Sequence, residues 1–189
     1  MDSLEIRYAR EQDISDIIKI SNRELGENYF SEVTEKLTGT TEILLRIAAT
    51  ERDQVVAFCY SRFMKLPALK KELNLKKIPV SLPPKHPVGL MKTIAVQNEY
   101  KNMGIGTRLI TDTINIMQEQ KITSFFLLAW KSRKSINVLG IMKYFRFSII
   151  LTIPGYWYNE SLEKGYSCPV CGSPPCCCEA ALFYKNTRG

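Results

Sequence analysis

Tyr100-Lys101-Asn102-Met103-Gly104-Ile105-Gly106 is the stretch that decides how this chain folds. Before it, Val88 to Val96 is a nearly unbroken apolar run of strand length. After it, Leu109, Ile110, Thr113, Ile114 and Met117 recur at helical spacing. The segment reads as strand, glycine loop, helix. Glycines at 104 and 106 let the backbone turn tightly and approach a ligand, and the helix that starts there presents unpaired N–H groups at its positive end. A diphosphate suits that place. Two familiar nucleotide loops are excluded: no Gly-Lys-Ser/Thr follows the turn, and Leu109 stands where a dinucleotide fingerprint beginning at Gly104 needs its third glycine.

On the N-terminal side, residues 4–9 alternate like a strand, and residues 13–25 place Ile14, Ile17, Ile18 and Leu25 at helical spacing behind an Asp13 cap. A less regular stretch with Tyr29 and Phe30 leads to two β-rich runs, 43–50 and 54–63, which read as a hairpin parted by Glu51-Arg52-Asp53. Residues 64–87 hold Pro67, Pro79, Pro83, Pro84 and Pro87 and read as an irregular surface excursion. On the C-terminal side come a strand at 124–130, a helix from about Ser135 to Tyr144, a strand from Phe147 to Ile153 and a last strand from Ala180 to Lys185. Residues 154–179, with Tyr156-Trp157-Tyr158 and five of the six cysteines, form an insertion before that last strand. The expectation is a single mixed α/β domain over 1–189.

The loop resembles the acyl-CoA loop of the GNAT N-acetyltransferase superfamily, whose signature is Gln/Arg-x-x-Gly-x-Gly/Ala between a strand and a helix. Here it stands as Lys101-Asn102-Met103-Gly104-Ile105-Gly106, preceded by Ile94-Ala95-Val96. Asn137, with Tyr144 seven residues later, resembles that family's Asn-x-x-Ala-x-x-x-Tyr helix, and the first 25 residues resemble its opening strand and helix. The similarity covers about residues 4–153 and the final strand. Lys101 departs from the usual Gln or Arg, keeping a cation but losing the planar fork. Gly140 replaces the common alanine, and the Gly-Phe after the helix is reduced to Arg146-Phe147.

The resemblance implies a GNAT-like, mostly antiparallel central sheet flanked by helices, and direct transfer of an acetyl group from acetyl-CoA to a primary amine of a small molecule, peptide or protein. It also implies roles. Ile94, Ala95 and Val96 would bind the pantetheine arm and polarise the thioester carbonyl, Lys101, Asn102, Met103, Gly104, Ile105, Gly106 and Thr107 would hold the diphosphate, and Asn137 would steady the cofactor. Tyr144 would protonate the departing thiolate. A plainer reading makes Tyr144 a core ring among Ile141, Met142, Phe145 and Phe147, and Asn137 a helix-start residue. The attacking amine must be neutral, and a lysine amine titrating near ~10.4 needs more help than an α-amine near ~7.7–8.0. The run Lys92 to Val96 contains no carboxylate and Glu99 reads as a solvated loop residue, so no base is assigned. His86, the only histidine, reads as a surface residue.

Cys168-Pro169-Val170-Cys171-Gly172 is a metal-knuckle sequence, and Cys176, Cys177 and Cys178 follow closely. Four thiolates suffice for tetrahedral zinc, and Cys168, Cys171, Cys176 and Cys178 form the chosen set, with Cys177 in place of either neighbour as the alternative. With no open coordination position, the site reads as structural zinc. An unliganded reduced loop is the competing reading. Beside the Tyr29, Phe30 and Tyr156-Trp157-Tyr158 aromatics, this insertion would shape the acceptor mouth or hold a protein partner.

Composition bounds these readings. At 189 residues, 45% of them hydrophobic and 24% charged, the chain suits one globular domain. No apolar run approaches the ~20 residues that cross a bilayer. The opening Met1-Asp2-Ser3-Leu4-Glu5-Ile6 lacks the pattern of a secretory signal, and the cysteines are few for a disulfide scaffold, so the expectation is a reducing cytoplasm without membrane partners. A net charge of +7 favours an anionic partner. The lysines at 65, 70, 71, 76, 77 and 85 lack interleaved aromatic residues and read as a solvated face, with a second group at Lys131, Arg133 and Lys134. Nucleic-acid binding therefore ranks last. A non-catalytic acyl-CoA-binding or zinc-mediated interaction module is the alternative function, and a homodimer or protein partner is compatible with either.

Overall fold

A computed structural model describes residues 4–30, 42–132 and 135–187. Met1-Asp2-Ser3, most of the stretch between Phe30 and Ile43, and the basic pair Arg133 and Lys134 lie outside the described residues. Strands β1 (Glu5–Tyr8), β2 (Ile43–Ala49), β3 (Val55–Lys65), β4 (Pro87–Val96), β5 (Ser124–Lys131), β6 (Ser148–Ile153) and β7 (Glu179–Asn186) form one sheet in the order β1-β2-β3-β4-β5-β7-β6. Every neighbouring pair is antiparallel except β4 and β5. The expected mixed, mostly antiparallel sheet flanked by helices is the observed architecture.

Helices α1 (Ile14–Glu24), α2 (Leu66–Glu72), α3 (Ile105–Glu119), α4 (Leu139–Tyr144) and α5 (Tyr158–Lys164), with single 3-10 turns at Glu11–Asp13 and Asn98–Tyr100, complete the described elements. The two faces of the sheet follow from the two-residue period of its strands. On one face, Leu44 and Ala48 of β2 and Phe125, Leu127 and Ala129 of β5 pack with Leu109, Ile110, Ile114 and Met117 of α3 and Met142 of α4. On the other, Leu45 and Ile47 meet Ile17 and Ile20 of α1, while Phe126 and Leu128 meet α2 and the cysteine-bearing insertion. Arg46 points to the α3 face among apolar neighbours, where Asp112 accepts from it at 2.6 and 3.1 Å and the Tyr8 ring lies 4.2 Å away.

Two elements differ from the sequence expectation. The excursion 64–87 contains α2, because Pro67 falls in the first turn of that helix, where a missing N–H costs nothing. The helix expected from about Ser135 starts only at Leu139: Ile136 bridges to Lys131, and Ser132 accepts the Ser135 N–H through its hydroxyl, which holds a turn instead.

The site is positioned by the way β4 and β5 part. They pair only over Val88–Met91 and Ser124–Leu127. Beyond that, β4 follows β3 to Val96, whereas β5 follows β7 to Lys131. Register also shifts at the parting: Ser61 faces Met91 and Tyr60 faces Thr93, leaving Lys92 as the extra residue of a bulge that bends β4 away. A V-shaped gap opens in the middle of the sheet.

Candidate acyl-transfer site

The gap holds a cleft of about 540 Å³ lined by Ile94, Ala95 and Val96 of β4, the turn Tyr100-Lys101-Asn102 with Gly104, the first residues of α3, and Asn137, Val138, Gly140 and Ile141. Gly104 caps α3 with φ at +76°, a left-handed conformation that favours glycine. It has no side chain to cap the helix, and the first turn carries no acidic residue. The N–H groups of Ile105, Gly106 and Thr107 therefore face the cleft without an intrahelical partner. Gly106 sits so close to its neighbours that an added Cβ would lie 3.1 Å from Ile141 Cδ1 and 3.9 Å from Val96 Cγ2.

A second set of donors follows from register. Gln97 N donates to Val56 O at 2.9 Å, so alternation along the antiparallel β3–β4 pair turns the N–H and C=O of Val96 and Ile94 away from β3. On that side β5 has already departed. The two backbone edges thus offer hydrogen bonds to an extended chain running from the glycine turn toward the bulge.

Lys101 lines the cleft, and its ammonium pairs with Glu24 at the end of α1. Glu24 lines the cleft and also accepts from Asn98 N at 3.1 Å. Arg23 similarly reaches Glu99 at 2.6 Å, and that carboxyl lies below its usual range through its own backbone N–H and Arg23. The end of α1 is therefore stitched to the glycine turn. No local motif announces Glu24, which is 77 residues from Lys101. Met103 is 45% exposed and stands outside the lining.

Asn137 lies in the turn before α4 and lines the cleft. Tyr144 is placed one turn beyond Gly140 and Ile141 on the same helix face, 73% exposed with its ring on Phe145 at 5.1 Å, and is not among the lining residues. His86 lies far from the gap and is half-buried, its Nε2 3.0 Å from Ser124 Oγ where β5 begins.

The cleft continues past Ile94 and Asn137 into a smaller cavity of about 90 Å³, bounded by β4, β5, Tyr29 and the insertion. Cys168 and Cys176 line this cavity, and the thiol groups of Cys168, Cys171, Cys176 and Cys178 lie within 4.8 Å of one another, with Cys178 Sγ 3.9 Å from Cys168 Sγ and 3.5 Å from Cys171 Sγ. All six cysteines are free, and Cys177 is exposed with its thiol directed at Pro175 O. Val170 N donates to Cys168 Sγ at 3.4 Å, and Cys168 and Gly172 exchange two backbone hydrogen bonds of 2.8 Å. A Zn–S bond of about 2.3 Å in a tetrahedron implies sulfur separations of about 3.8 Å, so the four thiols fit such an ion.

Similar architectures occur in solved structures. Arabidopsis thaliana NAA60 in complex with acetyl-CoA superimposes with a TM-score of 0.73 at 13% identity, over 99% of this chain and 100% of that one. The ribosomal-protein-S18-alanine N-acetyltransferase from Escherichia coli gives 0.65 at 14% identity, over 97% and 94%. Ard1 from Thermoplasma volcanium gives 0.65 at 17% identity, over 97% of each chain. No curated protein matches the chain in sequence. These likenesses concern the fold. The sequence itself supplies the assignment: residues 12–139, which include the parting strand, the glycine turn and α3, match the acetyltransferase (GNAT) family model, and the chain belongs to that family.

Proposed function

We propose that the protein transfers the acetyl group of acetyl-CoA to a primary amine by direct attack. The observation that carries this reading is the uncapped start of α3 at the foot of an open gap between two parted strands. The free N–H groups of residues 105–107 bind the diphosphate, aided by the helix dipole. The outward backbone groups of Ile94 and Val96 hold the pantetheine arm in extended form and direct the thioester toward the bulge. In the transfer itself the neutral amine nitrogen forms a bond to the thioester carbon while an amide N–H of β4 polarises the carbonyl oxygen. The C–S bond then breaks, the thiolate takes a proton for which Tyr144 is the proposed donor, and the amine gives up its extra proton to water.

Lys101 serves here as a strut rather than a phosphate ligand, since Glu24 neutralises it. Asn137 borders both the cleft and the smaller cavity and so stands where the arm ends and the acceptor begins. Cys168, Cys171, Cys176 and Cys178 would hold a zinc ion, which would supply a structural cross-link between the two halves of the insertion rather than chemistry.

The test is release of free CoA thiol from acetyl-CoA with a panel of amines. Amine-dependent release with an acetylated product supports the proposal. Tight acetyl-CoA binding without release for any amine points to a non-catalytic acyl-CoA-binding module.

A further inference from the structure

The cleft at the glycine turn would receive a diphosphate and a further ribose phosphate. Its charged lining, among the described residues, is one carboxylate, Glu24, and one ammonium, Lys101. The two are paired with each other, so the place that meets the phosphates carries no net charge in a chain whose net charge is +7. Arg23 adds nothing to it. Its guanidinium is held by Glu99 at 2.6 Å, and neither residue lines the cleft.

Glu24 is the member that an anion site does not call for. Its side chain is 9% exposed, whereas that of Lys101 is 46% exposed. A carboxylate so far out of water needs partners to offset its lost hydration. Besides Lys101, Glu24 has Asn98 N at 3.1 Å and Arg23 Nε at 3.9 Å. It is also the last residue of α1, at the negative end of that helix dipole, and the C-cap Leu25 lines the cleft beside it. The start of α3 therefore offers donors to the phosphates, while the end of α1 sets negative charge against them and draws Lys101 to itself.

A site built only to hold CoA would leave Lys101 to the phosphates. A transferase must also let the spent cofactor go, and product release sets the turnover of many enzymes. We infer that Glu24 limits the hold on CoA: it retains Lys101 and places its own charge at the mouth, which leaves the diphosphate to backbone N–H groups and hastens the departure of CoA after transfer. The inference rests on the acetyl-transfer reading but fails separately from it.

Acetyl-CoA and CoA are titrated calorimetrically, at low and at high salt, into wild type, Glu24→Gln, the double variant Glu24→Gln with Lys101→Gln, and Glu99→Gln. Glutamine keeps an amide oxygen for Asn98 N, so the turn stays linked to α1 while Lys101 is freed. At low salt Glu24→Gln is expected to bind both ligands about three- to tenfold more tightly, the gain from one partly exposed charge pair. Stopped-flow dissociation of CoA should slow to match. High salt should erase most of the gain, and so should the second substitution at Lys101. Glu24→Ala carries the same change of charge without the amide and should tighten binding too. Glu99→Gln makes that change at a pair outside the lining and should shift affinity by less than about twofold.

Equal or weaker binding by folded Glu24→Gln overturns the inference, because a residue that merely braces the turn loses affinity when changed. A gain that survives Lys101→Gln, or that Glu99→Gln reproduces in full, overturns it as well. Absence of heat in the wild type overturns the acetyl-CoA reading of the cleft, and the inference with it.

Discussion

Gly26 lies directly against the backbone carbonyl of Ser167: a Cβ on Gly26 would sit 1.9 Å from that oxygen. The loop that follows α1 and the cysteine knuckle thus touch main chain to main chain, at a residue with φ of +122°. Gly26→Ala meets both the overlap and the backbone strain, and neither can be relieved by a side-chain rotation. A loss of about 2 kcal/mol or more in unfolding free energy is expected. The denaturant midpoint of the zinc-loaded variant measures it, and a wild-type midpoint would show that the contact yields.

One zinc per chain is expected in protein purified without chelator. Cys171→Ser should lose it and Cys177→Ser should retain it, as read by metal analysis. Because the ligands bind as thiolates, metal retention should weaken as pH falls, by up to about tenfold per pH unit for each proton displaced.

Tyr144→Phe removes a hydroxyl from a ring that is already 73% exposed, so stability should change by less than about 0.5 kcal/mol. Turnover should fall with little change in acetyl-CoA affinity. Wild-type turnover across pH would remove Tyr144 from the role of acid.

Burial, and next to it the Glu160 carboxylate, pushes the hydroxyls of Tyr29 and Tyr156 well above the ordinary tyrosine value. The folded state therefore prefers them protonated. Its advantage is intact below about pH 10 and is lost as the pH climbs above that value, when the unfolded chain ionises first. Tyrosinate absorbance should show these rings ionising together with unfolding, and ionisation of every tyrosine near pH 10 in the native protein would contradict this.

Asp112→Ala leaves the Arg46 guanidinium facing the α3 side of the sheet with, among the described residues, the Ile6 carbonyl and the Tyr8 ring as its remaining partners. The expected cost is about 2 kcal/mol, read as a lowered unfolding midpoint.

Much of this architecture was legible in residues 88–117, since a strand of unbroken apolar character, a pair of glycines and a 3.6-residue apolar period have no other economical arrangement. The four-thiol grouping was legible as well, because knuckle spacing is local. What escaped the sequence depends on distant or compensated contacts. Pro67 read as a breaker although it begins α2. Ser132 and Ser135 hold a turn where apolar spacing suggested a helix. Glu24 reaches the glycine turn only through the packing of α1 on β3 and β4, and the bulge at Lys92 is a property of pairing that no single strand displays.

Calorimetric titration with acetyl-CoA, run on the wild type beside Gly104→Ala and Gly106→Val, tests the central claim most directly. A Cβ at Gly104 meets nothing within 4 Å, so that variant should cost about 1 kcal/mol of stability for its left-handed φ and still bind. A side chain at Gly106 displaces the flexible end of Ile141 and intrudes on the uncapped N–H groups, so binding should weaken at least tenfold in a folded protein, a loss of about 1.4 kcal/mol or more. Equal affinity in wild type and Gly106→Val, or no heat in the wild type, would contradict the account.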